Sequence, residues 1–444
     1  MQVTTSIWLR LGLEPFFSPE LRLAQCVRVQ SDSMKARTLV TVIIATYNRA
    51  HCLPRALDSI YAQEGLGNLF ELEVILVDDG STDSTPEIIH RYHNLTYIRL
   101  LEHRGVSAAM NKGLRASRGS YITFLDDDDE WLPHKLRVQV PLMEAHPEVG
   151  VVYGQSLKRF GEKEWLIPDL RRAHSGQVFL AMLMDNFCGH HASILVRRSA
   201  FDIAGGFDES LLSYEDWDVS LRLAFHVKFL FNSGAVDVYN LSPNGLWLSR
   251  AASGTGADDA RRVLEKNLQL LPDSNEYRQF KRKARSRLEL DTSIRLADPI
   301  QAWARVTAAL RESPDVLSDD WPKTVTGNML TRLILQPKVD IWKLSSQLRE
   351  ATPNNNASMR KSFQSAIVRI LAGIADGPAT NNRNALRVTA CAFAYAPFCL
   401  TGCKLILRIA VRTLLGRHAE SACCGAYEKA KRIRPAAAEA SAVT

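Results

Sequence analysis

What this chain lacks narrows it first. Its eight cysteines in 444 residues stand at irregular spacing, so they supply no disulfide framework, and Cys399 and Cys403 are too few for a zinc site. All eight read as reduced thiols in a cytosolic protein. No run reaches the roughly 18 apolar residues of a membrane span. The apolar stretch Ile7 to Leu13 is broken by Arg10 and followed by Glu14 and Pro15, which argues against an export signal. Internal repeats are absent, and the only biased tract is the PAAAEASAVT end after Arg434. With 46% hydrophobic and 23% charged residues, wholesale disorder is excluded, and the length suggests two or three domains.

Charge is unevenly spread. From Arg360 to Thr444 there are 13 Lys/Arg against 4 Asp/Glu, a balance of +9, so the total of +7 leaves the preceding 359 residues at −2. A basic tail on a near-neutral body points to an anionic partner. The tail's few aromatic residues do not alternate regularly with its basic ones, which argues against nucleic acid. Lys404, Arg408 and Arg412 fall on one stripe of an otherwise apolar helix. Such a helix suits the surface of an anionic membrane, with a core helix whose cations snorkel as the competing reading. The location expected is therefore cytoplasmic, peripheral at the inner face of the cell membrane. The sequons at Asn94 and Asn356 are then chance matches.

Three regions follow: an N-terminal extension over 1–38, with Met34 as a candidate native start; an α/β domain over 39–250; and an α-helical region over 251–444. In the second, β-branched runs at 40–45, 72–77, 96–101 and 121–125 alternate with helical stretches at 54–63, 85–92, 105–116 and 133–145. Pro54, Pro86 and Pro133 suit first helical turns. This alternation predicts a mostly parallel sheet covered by helices, with ligands at the carboxyl ends of the strands. Polar clusters stand at those ends: Thr46-Tyr47-Asn48, Asp78-Asp79-Gly80 and Asp126 to Asp129. In the helical region Leu264, Leu268 and Leu271 mark an apolar face.

FLDDDDEW (124–131) carries the strongest chemical signal. Adjacent carboxylates repel one another, a divalent cation offsets that cost, and hard oxygen ligands suit Mg²⁺ or Mn²⁺. Asp126 and Asp128 point the same way in an extended chain. A solvated acidic loop, with Asp129 as a helix cap, is the competing reading. VDDGSTD (77–83) reads alone as a turn and cap, and Glu215-Asp216 alone as acids at a helix N-terminus with Trp217, Leu221 and Ala224 on the buried face. His190-His191 reads as a solvated strand edge, with acceptor contact as the alternative.

Taken together, ATYNR (45–49), VDDGSTD, GVSAAMNKGLRASRGSYITFLDDDDEW (105–131) and GGFDESLLSYEDWDVSLRL (205–223) resemble, in order and spacing, the family 2 glycosyltransferases with a GT-A fold. The resemblance covers about 39–250. It implies a nucleotide-binding α/β sandwich and transfer of a sugar from a nucleotide-sugar, a UDP-sugar first, to a hydroxyl of an acceptor glycan or lipid-linked sugar, with inversion. It assigns Thr46, Asn48, Asp78, Asp79, Asn111, Asp126 and Asp127 to the nucleotide-sugar, with Gly113 in the helix motif beneath it. It assigns Asp128 to a divalent cation, Mn²⁺ or Mg²⁺, and Asp216 to the catalytic base with Glu215 beside it. The chain departs from the family pattern at Met110, where many members have Arg, and at Asn240 and Ser242, where many have Arg and His. The QxxRW motif of processive synthases is absent, which implies one sugar per event. Two rivals stand against this reading. A sugar nucleotidyltransferase wants a Gly-rich loop after its first strand, and TYNRAHCLPRA (46–56) has none. A catalytically inactive nucleotide-sugar-binding scaffold of a glycan-assembly complex would bind donor without turnover.

Overall fold

The computed structural model describes residues 37–242 without a break, most of 249–330 and 340–376, and the isolated Cys391 and Tyr395. The candidate start at Met34 and the basic helix at 404–415 lie outside the described residues.

Four strands alternate with four helices as the sequence predicts: β1 (Thr38–Thr46), α1 (Leu53–Tyr61), β2 (Phe70–Asp78), α2 (Thr85–Ile89), β3 (Leu95–Arg99), α3 (Val106–Ala116), β4 (Tyr121–Asp126) and, after the short β5 (Glu130–Trp131), α4 (Lys135–Ala145). Pro54 and Pro86 stand in first turns. Pro133 does not, because α4 begins two residues later; its carbonyl instead accepts from the Glu64 amide at 2.8 Å. Then come β6 (Val149–Phe160), β7 (Lys163–Ile167), α5 (Phe179–Met184), β8 (Ile194–Arg197), α6 (Arg198–Ala204), α7 (Glu215–His226) and β9 (Lys228–Asn240). The nine strands among the described residues form one sheet, ordered β3-β2-β1-β4-β8-β6-β9-β5 with β7 on β6. The β1, β2, β3 and β4 pairings are parallel, whereas β8 runs antiparallel to β4 and β6.

Alternation along the strands builds two cores. Ile43, Ile122 and Phe124 face one, and Val42, Ile44 and Leu125 face the other, as a side-chain period of two requires of a sheet covered on both sides. Parallel register sets Thr46 opposite Asp78 and Ala45 opposite Asp126. The polar clusters therefore share one edge, at the point where chain order reverses about β1, the place where such sheets bind ligands.

The helical part continues with α8 (Thr255–Leu268), α9 (Asn275–Ser293), α10 (Pro299–Glu312), α11 (Ile341–Ala351) and α12 (Ala357–Asp376). Leu264, Leu268 and Leu271 bury in the same core as Trp217, Leu221 and Ala224. A separate core gathers Trp303, Leu310, Leu344 and Phe363. Among the described residues no helix is long and apolar enough to cross a membrane, and Cys52, Cys188 and Cys391 are free thiols.

Candidate active site

A cavity of about 890 Å³ opens at the carboxyl ends of the strands, and it brings together Thr46, Asp79, Asp126, Asp127, Asp128, Glu215 and Asp216. Residues 170 positions apart in sequence thus face one space because β4 ends beside β1 and α7 begins across from them.

The aspartate quartet is not a solvated loop. Asp127 and Asp129 are buried, while Asp126 and Asp128 keep about 30% of their side chains exposed. Asp127 and Asp128 share one partner, and Asp126 and Asp129 each have their own. Asp127 accepts from the Thr46 hydroxyl at 2.7 Å and from Arg49 at 3.0 Å, and the same Arg49 nitrogen donates to Asp128 at 2.6 Å. Asp126 lies 3.1 Å from His191 Nε2. Asp129 accepts the Asn240 backbone amide at 2.7 Å instead of capping a helix. Burial pushes Asp127 up to about 7 despite Arg49, and burial with Asp126 raises Asp128. Burial also opposes the charge on Asp126, but His191 overcomes it and holds this carboxylate down at about 2.

Both histidines are buried, contrary to their reading as a solvated edge: residues 191–193 form a 3-10 turn beneath β4 instead of the start of a strand. His190 Nε2 meets Asp237 at 2.8 Å and Ser156 at 3.0 Å, and its ring stacks on Tyr239 with centroids 4.5 Å apart. His191 packs edge-on against Phe124. Burial alone would lower its pKa, but Asp126, with Asp216 and Glu215 behind it, raises it to about 9.

A cation has a place here. Ligand atoms of Asp126, Asp129 and His190 lie within 4.8 Å of one another. Asp129 Oδ2 and His190 Nδ1 are buried without hydrogen-bond partners and face each other at 3.8 Å. Two carboxylates and an imidazole suit Mn²⁺ or Mg²⁺. This cluster forms around Asp126, whereas Asp128 turns one oxygen to Arg49.

Glu215 and Asp216 open α7, behind Tyr214 in left-handed conformation (φ 62°). Asp216 accepts its neighbour Trp217's amide at 2.7 Å. Burial raises both acids; Asp216 lifts Glu215 further, to about 7, while His191 restrains Asp216.

Of the residues assigned to the nucleotide-sugar, three stand off the cavity wall. Asp78 is fully buried and accepts from the Ser81 amide and the Tyr97 hydroxyl, both at 2.7 Å. Asn48, at φ 53°, takes the Thr82 amide at 2.7 Å and so ties the first-strand loop to the second. Asn111 donates to the Phe207 carbonyl and to Glu209, each at 2.9 Å, and accepts the Phe207 amide at 2.8 Å, fastening α3 to the segment before α7. Asp79 does reach the cavity. It accepts the Arg104 and Gly105 amides at 2.8 and 2.7 Å and pairs with His103 at 2.7 Å. Tyr47 stacks on His103 with centroids 4.0 Å apart. Residue-by-residue reading missed Arg49 and His103. Arg49 stood inside the quoted ATYNR motif, but nothing local says that its guanidinium reaches two aspartates about 80 positions away.

Residues 41–203 match the family model described as glycosyl transferase family 2. The succinoglycan biosynthesis protein ExoO of Rhizobium meliloti (strain 1021) is 32% identical over 189 residues, 40% of this chain and 53% of that protein. An uncharacterised glycosyltransferase of Nostoc sp. is 35% identical over 118 residues, 26% of this chain and 35% of that protein. The chain thus spans about half, or less, of the length of these curated relatives. Among solved structures, the mannosyltransferase PcManGT from Pyrobaculum calidifontis, in complex with GDP-Man and Mn²⁺, is 21% identical with a TM-score of 0.46, covering 76% of this chain and 87% of that one. TarS 1–349 of S. aureus, in complex with UDP-GlcNAc, is 18% identical with a TM-score of 0.44, covering 84% and 90%. Residues 41–203 are therefore similar to the family 2 glycosyltransferases, and they lie within the mostly parallel, helix-covered α/β sheet described above.

Proposed function

We propose that this protein transfers one sugar at a time from a nucleotide-sugar, a UDP-sugar first, to a hydroxyl of an acceptor glycan or lipid-linked sugar, with inversion, in cell-surface polysaccharide or glycolipid assembly. One observation carries the reading: the aspartates that end β4 and the acid pair that opens α7 line one cavity. The printed role of the succinoglycan relative supports the assembly context. The absent QxxRW motif supports single addition, and the basic C-terminal region supports work at the inner face of the membrane.

In this mechanism the nucleoside end of the donor lies at Thr46 and Asp79, where Tyr47 and His103 offer flat faces to a base. Asp126, Asp129 and His190, with Asp128 beside them, would hold a Mn²⁺ or Mg²⁺ ion. Bound there, the ion supplies Lewis-acid stabilisation of the charge on the leaving diphosphate. Asp216 takes the proton of the acceptor hydroxyl as its oxygen bonds to the anomeric carbon, on the face opposite the breaking bond to the diphosphate. Protonated His191 holds Asp126 ionised and keeps Asp216 from being lifted further by burial.

A panel of nucleotide-sugars with Mn²⁺ or Mg²⁺, followed by nucleoside diphosphate release, tests this. Release from one donor is expected, and Asp216→Asn should lower it by about 10²–10⁴-fold with nucleotide affinity kept. Binding of every donor without release, unchanged in the variant and with a membrane lipid extract added, would instead favour the inactive scaffold.

A further inference from the structure

One wall of the cavity is built from side chains that the transfer chemistry leaves unused. Lys158, on β6, carries its Nζ 4.9 Å over the ring of Tyr239, its register partner on β9. Arg295, just beyond α9, donates to the Tyr214 hydroxyl at 2.8 Å and pairs with Asp291 at 2.8 Å. Tyr214 is the residue before Glu215-Asp216, and Arg295 lines the same cavity as that pair. Further along the wall, Arg172 and Arg287 share Asp185, and Arg287 also reaches Asp319 outside the cavity at 3.6 Å. Lys158, Arg172, Arg287 and Arg295 thus line this wall with Asp185 and Asp291, and the acid pair Glu215-Asp216 faces the same cavity.

We propose that this wall is an acceptor subsite for an anionic group, a phosphate or carboxylate carried by the acceptor molecule and gripped by Lys158 and Arg295. The proposal rests on the transferase reading above and names the acceptor's chemistry. Three physical points favour it. Asp291 and Tyr214 fix the Arg295 fork in one orientation, and a fixed planar fork suits two-pronged contact with an oxyanion. Burial, and then Arg295, pull Lys158 down to about 8 against the opposing pull of Asp216 and Asp291, so a bound anion favours its charged form. Finally, the donor diphosphate has its own place at the strand ends by Asp126, so the anion expected on this wall belongs to the second substrate.

The test titrates the full chain, with UDP, GDP and Mn²⁺ present to fill the donor site, by calorimetry. Three soluble probes are used: a short-chain prenyl diphosphate sugar, a methyl glucuronide and an uncharged methyl glycoside. At least one anionic probe should bind more tightly than the uncharged glycoside by about tenfold or more, the worth of one charge-assisted contact. Which of the two does so tells a lipid phosphate from an acidic glycan. Lys158→Gln and Arg295→Gln should each remove most of that preference and leave UDP and GDP affinity unchanged. Equal binding of all three probes, no binding of any, or a preference that survives both substitutions would overturn the proposal. Failure of the transferase reading is seen separately, as absence of nucleoside diphosphate release by the unsubstituted protein.

Discussion

As the proposed base, Asp216 must lose its proton before it can take one, and its surroundings make that loss harder. Burial raises it and its neighbour Glu215, the latter to about 7, while protonated His191 pulls the other way. A base with a raised pKa is inactive when protonated, so kcat should climb with pH above the ordinary carboxylate range. His191→Gln removes the restraining cation, and the rising limb should move to higher pH. A pH–rate profile of both proteins checks this; an unmoved limb would detach His191 from the base. Arg49 and His191 show why the site was only partly readable from residue types. The carboxylates announce themselves, because four in a row after a buried strand demand a counter-charge. The counter-charges come from distant segments, and their sequence surroundings give no sign of it.

Elements were more legible than side-chain partners. Strands and helices from β1 to α4 follow their predicted spans to within a few residues, because hydrophobic period and proline position act locally. His190-His191 and Pro133 were misread where a tertiary contact overrides the local pattern. At this scale α3 is the critical piece, since Asn111 on it fastens the segment that leads into the acid pair. Gly113 lets that helix approach β1: a Cβ there would overlap the buried Ile43 side chain. Alanine favours a helix over glycine by about 1 kcal/mol, but overpacking a closed contact costs about 1–3 kcal/mol. Gly113→Ala should therefore be net destabilising, with a lower urea midpoint and an unchanged slope. A raised midpoint would mean that α3 and β1 are loosely packed.

Across the whole molecule the acid-rich cavity sets a pH dependence of stability. Asp127, Asp128, Asp129, Glu215 and Asp216 all have raised pKa values in the fold, chiefly by burial. The native state then holds protons that the unfolded chain has released above the ordinary carboxylate range near pH 4. Stability should fall as pH rises from 5 to 7. His174, lowered by burial, opposes this trend alone, and Lys135 and Lys158, lowered to about 7 and about 8, act only at the upper edge and beyond. Melting temperatures measured in EDTA should decline over that range, Asp127→Asn should flatten the decline, and Mn²⁺ should raise the value at pH 7. The charge imbalance of the chain yields a second test at this scale. Removing 385–444 should release the protein from the membrane fraction; unchanged fractionation would sink the membrane reading.

By itself the sequence determined the alternating α/β order, the strand ends at which acids collect, and the acid pair opening a helix, because each depends on neighbours within a few residues. Tertiary structure alone decided that Asp127 and Asp128 share Arg49, that Asp129 turns inward toward His190, and that Asp78, Asn48 and Asn111 brace the site from outside its wall. It also set Lys158 and Arg295 on the wall of the cavity that Asp216 lines. Each of these arrangements joins residues far apart along the chain, and only sheet register and helix packing fix which distant side chains meet.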